Sequence, residues 1–484
     1  MTTMTSTPDF FRSRIDAMVD QKHPLFILAS RMPWAQLETK LRAAKTPAEK
    51  PERSEIRDDL FGESTQTKRE GNANAGRPAL SVRLLAGLLY LKHAYNESDE
   101  NVCEKWAENP YWQYFCGEDY FEPRLPCDPT KLVHFRHWLE AAGAEQLLAS
   151  TISTAVEIKA IKPQEFERVI VDSTVQEKAI AFPTDSRLLE VARHKLVKMA
   201  KGGGVYLKQT FAKEGKLLRL QAGRYAHAKQ FKRMRKAIHR QRTIAAKLLR
   251  TVKANAELVA KHQEMLSRIE KLLNQKQKDK NKIYALHAPE VECLSKGKAR
   301  VRYEFGVKAS ISITAKSGLI VGARTFPGNP YDGHTLAQQL EQTKALLSDI
   351  KNAPTPKTVL VDLGYRGVTI DGVDVQHKGH YKRLSKAQRK GLKRRSSIEP
   401  HIGHLKDDNG MRRCWLKGAH GDARHTVLCA AGHNLRFLMR AIRLFCAWLL
   451  CWQLAFATSQ RAKITHPARC PSFILFDRWG KMNF

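Results

Sequence analysis

The sequence predicts a mixed α/β fold with an N-terminal helical domain and a long basic helical insertion after the first strand. Short runs of β-branched residues at 169–171 and 359–361 are typical of buried strands. Apolar residues recur at helical spacing between 81 and 142, ahead of the first strand. Residues 187–285 combine helical patterning with a large excess of Lys and Arg, which indicates helices and not sheet.

The length and net charge of the chain indicate its number of domains and its kind of partner. The chain has 484 residues, with 83 Lys plus Arg and 48 Asp plus Glu, so its net charge is +35. This length exceeds what one core usually supports, so we expect two or three domains. The positive charge favours a polyanion as partner, and double-stranded DNA is expected because neutralised phosphates release counterions. Membrane-surface binding fits less well, since the bases are spread over several hundred residues.

Cysteine usage and the chain termini bear on location. The 9 cysteines form no CxxC pair and no zinc-ligand spacing, which indicates reduced thiols in a cytosolic protein. The first eleven residues lack a signal-peptide layout. The most apolar run, 444–457, is shorter than the roughly 20 residues that span a membrane. We expect a cytoplasmic, nucleoid-associated protein with no membrane partner.

The chain divides into four parts. Residues 1–78 predict a helical lead-in and a linker, in which Pro, Glu, Lys, Asn and Gly become frequent after residue 46. Residues 79–160 predict a helical domain, with helices at 81–96 and 130–142 and an N-cap at Ser98. Such a domain either contacts DNA or serves packing and dimerisation. Residues 161–440 form the α/β domain that contains the insertion, and 441–484 form a C-terminal tail.

Two predicted strands lead into acidic residues. Residues 168–175 predict a central strand whose edge presents Asp172, although an aspartate there could also cap a turn. Residues 302–314 and 318–326 predict a hairpin. Residues 357–362 predict a second strand that leads into Asp362, and 373–375 predict a short fifth strand.

The insertion is the most basic part of the chain. Residues 187–282 contain 27 Lys or Arg and 6 Asp or Glu, a net charge of +21. The pattern predicts an antiparallel helical pair with one cationic face, interrupted near 202–204. An ordinary solvated surface is the alternative to DNA contact. The bases expected to bind DNA here are Lys232, Arg233, Arg235 and Lys236.

A third acid lies in basic surroundings. Glu399 is the only acid between Arg383 and Lys406. Helical spacing places Arg395, Glu399 and Lys406 within roughly 40° of one face. Glu399 is therefore either one half of a surface ion pair or a metal ligand.

Together, Asp172, Asp362 and Glu399 suggest phosphoryl transfer. Three hard oxygen ligands suit two Mg²⁺ (or Mn²⁺) ions about 3.5–4 Å apart, an arrangement that activates a water or a 3′-hydroxyl. Arg395, Lys406 and Arg366 are the expected phosphate contacts beside them. Asp332 or Asp374 could replace Asp362. His401 and His404 with Cys414 offer a zinc alternative, but with irregular spacing.

These residues resemble a known family. Asp172 in VIVDSTV, Asp362 in VLVDLGYRG and the spacing R-x3-E-x6-K from Arg395 to Lys406 resemble the catalytic core of bacterial insertion-sequence DDE transposases, in particular the insertion-sequence-five group. FPGNPYDGHTL at 326–336 and AAGHNLRFL at 430–438 extend the resemblance, which runs from about residue 80 to about 440. It implies a ribonuclease-H-like core, cleavage at terminal inverted repeats, joining of 3′-hydroxyl ends to target DNA, and a homodimer or higher synaptic complex.

The sequence also departs from the family pattern. Leu392 stands where related sequences have a Tyr, so that aromatic DNA contact is either absent or supplied by Tyr365 or Tyr381. The long insertion follows the first aspartate, whereas in better-known relatives it precedes the glutamate helix. Two other functions remain open: a catalytically inactive DNA-binding protein or repressor derived from such an element, and a single-strand chaperone. The insertion has few aromatic residues for the latter.

Overall fold

The computed structural model describes residues 12–43, 80–276, 278–295, 302–379 and 385–465. The expected linker after residue 46 and Tyr381 lie outside these ranges, as does the tail beyond residue 465. Among the described helices, none has both the length and the apolar character that crossing a lipid bilayer requires.

Seven α-helices precede the first strand in the part of the chain that the structure describes. Ser81 and Ser98 cap two of them by accepting hydrogen bonds from the backbone N–H groups of Leu84 and Asn101, as the N-cap prediction at Ser98 required. The seventh helix is longer than predicted and has a break at Glu140. The helices are α1 (Ile15–Met18), α2 (Pro24–Arg31), α3 (Trp34–Ala43), α4 (Val82–Tyr95), α5 (Asp99–Glu108), α6 (Pro110–Cys116) and α7 (Thr130–Glu157).

Six strands form one mixed sheet. They are β1 (Arg168–Glu177), β2 (Glu292–Ser295), β3 (Tyr303–Thr314), β4 (Ile320–Phe326), β5 (Thr358–Leu360) and β6 (Asp374–Gln376). Their order is β2-β3-β1-β5-β6, and β4 also pairs with β3. The pairs that involve β3 are antiparallel, whereas β1, β5 and β6 run parallel to one another. The predicted hairpin corresponds to β3 and β4, and β2 was not predicted.

The insertion forms a four-helix unit and not the predicted antiparallel pair. Its helices are α8 (Asp185–Gly202), α9 (Ala212–His227), α10 (Phe231–Lys253) and α11 (Ala256–Asn274). They share a separate hydrophobic core that includes Leu196, Leu248 and Ile269. The predicted interruption near 202–204 is the end of α8, where Gly203 packs against Leu258. The pair prediction was wrong because α8 and α9 also contribute apolar faces.

The remaining α-helices of the described residues are α12 (Asp332–Leu347), α13 (Lys386–Leu392), α14 (Ile398–Asp407) and α15 (Gly418–Thr465). Helix α15 packs against α4, α7 and β4. The N-terminal helices and the sheet therefore share one continuous hydrophobic core. Helix α15 also runs through residue 441, where the sequence predicted the start of a separate tail.

Candidate active site

Asp172 and Asp362 are brought together by the register of two parallel strands. Ile170 of β1 lies opposite Leu360 of β5. Two residues further along each chain are Asp172 and Asp362, and alternate residues of a strand point to the same face. Asp172 does not end its strand as predicted, because β1 continues to Glu177. Pairing between β1 and β5 stops at Leu360, so neither aspartate takes part in the β1–β5 ladder.

Glu399 approaches from α14. Ile398 and Leu405 are buried and anchor this helix on the core. The single helix expected through this region is interrupted, because Lys393–Ser397 forms a 3-10 helix before α14 begins. Arg395 lies in that 3-10 helix, yet it still reaches Glu399 four residues later.

One guanidinium contacts all three acids. Arg395 Nη2 lies 3.3 Å from Asp172 Oδ2 and 3.4 Å from Asp362 Oδ2, and Nη1 lies 3.4 Å from Glu399 Oε1. The exposed fractions are 15% for Arg395, 16% for Asp172, 42% for Asp362 and 61% for Glu399. Three carboxylates this close repel one another, and the guanidinium offsets that repulsion.

A fourth acid lies beside the three. A Cβ atom placed on Gly364 would lie 3.0 Å from Asp332 Oδ2 and 3.3 Å from Asp362 Oδ1, so both aspartates border this glycine. Asp332 forms a 2.9 Å ion pair with the buried Lys308. Tyr365 is buried nearby, and this burial raises its pKa, as do the charges of Asp332 and Asp172. The FPGNPYDGHTL motif was the sequence signal for Asp332.

A basic groove begins at the acid cluster. It has a volume of about 530 Å³ and is lined by Lys378, Arg389, Leu392, Lys393, Arg395 and Ser396. Arg366 is exposed and follows the turn after Asp362. Cations beside clustered carboxylates are what a DNA backbone needs in order to approach them.

Lys406 does not face this groove. Its Nζ lies 3.7 Å from Glu304 Oε2, with both side chains almost buried (11% and 6% exposed). The prediction that Lys406 lines a phosphate-binding helix face together with Arg395 does not match this position. A buried glutamate on β3 attracts the ammonium group towards the sheet.

Other predicted residues lie apart from the acids. His401 Nδ1 lies 3.2 Å from His433 Nε2, His404 pairs with Asp408, and Cys414 is buried beside the end of β1. The zinc alternative was therefore wrong for these residues. Asp374 lies on the outermost strand, β6, in the described sheet.

The suggested aromatic substitute Tyr365 is buried and cannot stack on DNA. Leu392 is buried as well, so it adds no exposed contact at this position. In the insertion, by contrast, all four predicted DNA-binding side chains are exposed near the start of α10: Lys232, Arg233, Arg235 and Lys236.

The acids form a suitable donor set for a hard divalent ion. Asp172, Asp362 and Glu399 offer only carboxylate oxygens, which Mg²⁺ and Mn²⁺ prefer. All three are grouped around the Arg395 guanidinium, which a bound ion would have to displace as the carboxylates close on it.

Comparisons with known proteins match two segments of the chain to transposase families. Residues 52–138 match the family described as Transposase domain (DUF772), and residues 274–435 match the family described as Transposase DDE domain. A Rhizobium meliloti protein, described as uncharacterized protein ORF8 in nfe locus, is 39% identical over 223 residues, which cover 46% of this chain and 95% of the relative. No solved structure matches the chain. Asp362 and Glu399 lie within the matched DDE segment, and Asp172 precedes it.

Proposed function

The chain belongs to the insertion-sequence DDE transposases, and we propose that it cleaves DNA at the terminal inverted repeats of its element and joins the freed 3′-hydroxyl ends to target DNA. Membership of the insertion-sequence-five group is part of this proposal. The observation that carries it is the grouping of Asp172, Asp362 and Glu399 around Arg395. No surface-binding function needs three acids in one place on so basic a protein.

In this proposal Asp172, Asp362 and Glu399 hold two Mg²⁺ or Mn²⁺ ions. When bound, such ions activate the attacking water or 3′-hydroxyl and stabilise the departing oxygen. The expected ribonuclease-H-like fold fits the metal-binding role of the two aspartates, since the pairing of β1 with β5 brings Asp172 and Asp362 side by side. Asp332 stays paired with Lys308 and orients the turn that carries Asp362.

The bases of the chain guide the DNA. Arg395 withdraws from the carboxylates as ions bind and contacts a phosphate beside the scissile bond. Arg366 and the groove around Lys393 continue this contact along the strand. The exposed bases of α10 bind DNA further from the acids. Because an element has two ends, we infer that at least two copies of the chain act in one complex.

A strand-transfer assay with Mg²⁺ and DNA carrying the element's ends tests the function. We expect Glu399→Gln to bind DNA as the wild type does but to lose cleavage and joining by at least about 100-fold, since even groups that only orient metal ligands act on that scale. Asp407→Asn is the matched control, because Asp407 lies on the same helix and pairs with Arg412 at the surface.

Two results would contradict the assignment. Joining by Glu399→Gln at the wild-type rate would exclude Glu399 from the reaction. A wild-type protein that binds the element's ends and neither cuts nor joins them would support the alternative, an inactive DNA-binding protein or repressor derived from the element.

A further inference from the structure

A second cluster of ligand-type side chains lies where α4 passes α15. His93 comes from α4, and His425 and Cys429 come from α15. All three are buried, and one candidate ligand atom from each lies within 4.8 Å of the others. The four-residue spacing of His425 and Cys429 places both on one helix face, towards His93. This cluster is separate from the acidic site.

The distances fit a tetrahedral metal centre. Cys429 Sγ lies 3.5 Å from His93 Nδ1 and 3.7 Å from His425 Nε2. A zinc ion about 2.3 Å from sulfur and about 2.0–2.1 Å from nitrogen separates tetrahedral S and N ligands by roughly 3.5 Å. The two sulfur–nitrogen distances therefore match the spacing that such an ion imposes, and the two imidazole nitrogens lie within 4.8 Å of each other.

We propose that His93, His425 and Cys429 bind a Zn²⁺ ion that joins α4 to α15. Two imidazoles and a thiolate form a borderline donor set that suits zinc and not the Mg²⁺ of the acidic site. An oxygen fills the fourth position. It comes from Gly410, whose carbonyl lies 3.1 Å from His425 Nε2, or from water in a cleft of about 930 Å³ that both histidines line.

Without a metal, these buried side chains have only weak hydrogen-bond partners. The partners of Cys429 are long nitrogen–sulfur contacts, which are weak hydrogen bonds. His93 Nε2 has no hydrogen-bond partner in the part of the chain that the structure describes. A metal bond would replace the weak sulfur contact at His93 Nδ1 and would fix the ring proton on Nε2, without giving Nε2 a partner. Loading removes the thiol proton and moves the His425 proton to Nδ1.

The cations around the cluster are paired with acids, which reduces their repulsion of a bound zinc ion. The nearby cations are Lys92, Arg136 and Lys178, and each is already paired with an acid. Lys92 and Arg136 pair with Asp99 at 2.9 Å and 2.6 Å, and Lys178 pairs with Asp422 at 2.7 Å. Helix α15 also approaches α4 so closely that a Cβ on Gly432 would lie 2.5 Å from the His93 carbonyl carbon. The ligands are therefore held in place by backbone packing, and their positions do not depend on the metal.

The site joins two segments of the chain. His93 lies in the segment matched by Transposase domain (DUF772), and His425 and Cys429 lie in the segment matched by Transposase DDE domain. Asn409 Nδ2 donates to the His93 carbonyl, and its Oδ1 contacts His433, whose other ring nitrogen meets His401 of α14. A metal at His93 thus stiffens the support of the helix that carries Glu399.

The test is metal analysis of the full chain produced with zinc in the medium and dialysed without chelator. We expect one zinc per chain by mass spectrometry. Replacement with Co²⁺ should produce the visible bands of a tetrahedral ion and a thiolate-to-cobalt charge-transfer band. Cys429→Ser should lose the charge-transfer band and the stoichiometric zinc. Cys414→Ser, at another buried cysteine, should keep both.

A wild-type chain that binds no zinc and shows no thiolate–cobalt band would overturn the proposal and leave a buried hydrogen-bonded cluster. Retention of both signals by Cys429→Ser would overturn it too. The wild-type measurements decide the matter even if the variant fails to fold, which circular dichroism would reveal. Asp172→Asn should keep its zinc, so failure of the proposed transposition chemistry is distinguishable from failure of this site.

Discussion

Arg395 combines two roles that the sequence alone did not connect. Its spacing suggested a phosphate contact, and the structure places its guanidinium against Asp172, Asp362 and Glu399. One positive charge there reduces the repulsion between the acids while no divalent ion is present. The same carboxylate oxygens cannot serve Arg395 and a metal fully at once, so the two compete.

Removing Arg395 should therefore strengthen the response to divalent ions. We expect Arg395→Ala to reach half of its Mg²⁺- or Mn²⁺-induced rise in Tm at an ion concentration about tenfold lower than the wild type, because binding to the folded state no longer displaces a cation. The measurement is thermal unfolding across an ion titration. Arg394→Ala is the control, since Arg394 donates to the carbonyls of Ala315 and Lys316. Identical titrations for both variants would contradict the competition.

His433 should make stability depend on pH. Burial lowers the pKa of His433 to about 3, and burial likewise lowers that of His401 to about 4. An unfolded histidine has a pKa near 6.5, so below that pH the unfolded state binds more protons. The stability contributed by neutral His433 is thus complete above about pH 6.5. It is lost as the pH falls towards 3.

Replacing His433 should flatten that dependence. Between pH 6 and 4, the free energy of unfolding should fall with pH less steeply in His433→Gln than in the wild type. The difference in slope should be about 1.4 kcal/mol per pH unit, because the variant takes up one proton fewer on unfolding. Urea titrations at several pH values measure this. The exposed His404 provides the control variant His404→Gln. An unchanged slope in His433→Gln would show that other groups control the acid response.

The end of β1 is held by a buried ion network. Lys178 Nζ lies 2.8 Å from Glu290 and 2.7 Å from Asp422 at the start of α15. Burial lowers the pKa of Lys178, but its hydrogen bonds to Asp422 and Glu290 outweigh this and leave the pKa raised. The network fixes β1, and therefore Asp172, relative to the long helix.

Lys178→Met should destabilise the fold by about 3–5 kcal/mol, because it leaves the buried Asp422 and the half-buried Glu290 without their cation. Chemical unfolding measures the loss. Lys253→Met removes a lysine from an exposed pair with Glu270 and should cost less than about 1 kcal/mol. Equal losses in the two variants would mean that the network does not stabilise the end of β1.

Charge across the molecule is concentrated in the four-helix insertion. Residues 187–282 carry a net charge of +21 of the total +35. The insertion has its own hydrophobic core, so its cationic surface is presented by a stable unit. This organisation suits a DNA-binding arm beside the sheet that holds the acids.

Neutralising the bases at the start of α10 should reduce the salt dependence of DNA binding. If each contacts a phosphate, changing all four to Ala lowers the slope of log K against log salt by about 3–4, since each contact contributes about 0.9. Fluorescence anisotropy at several salt concentrations measures the slope. The four bases are Lys232, Arg233, Arg235 and Lys236.

A matched control neutralises four exposed bases elsewhere in the chain and should leave that slope nearly unchanged. A slope that falls equally in both variants would indicate a general effect of net charge and not a contact surface on α10. The control positions are Lys22, Arg31, Arg42 and Lys351.

Most local features of the fold could be predicted from the pattern of residue types in the sequence. Ser98 predicted a cap, and alternation with turn residues predicted the β3–β4 hairpin. Strand β2 was missed because four residues with little alternation carry no clear signal. The insertion was misread as a helical pair because periodicity shows that a helix has an apolar face but not how many helices share one core.

Composition and spacing by themselves determined the basic character of this protein, its α/β class and the three acids worth considering, since these depend on residue types and short-range periodicity. Only the tertiary structure decided that β1 and β5 align Asp172 with Asp362, that Arg395 stands among the acids and that Lys406 turns to Glu304. It also brought His93 to Cys429. The physical reason is that strand register and helix packing join residues hundreds of positions apart through contacts that no local pattern records.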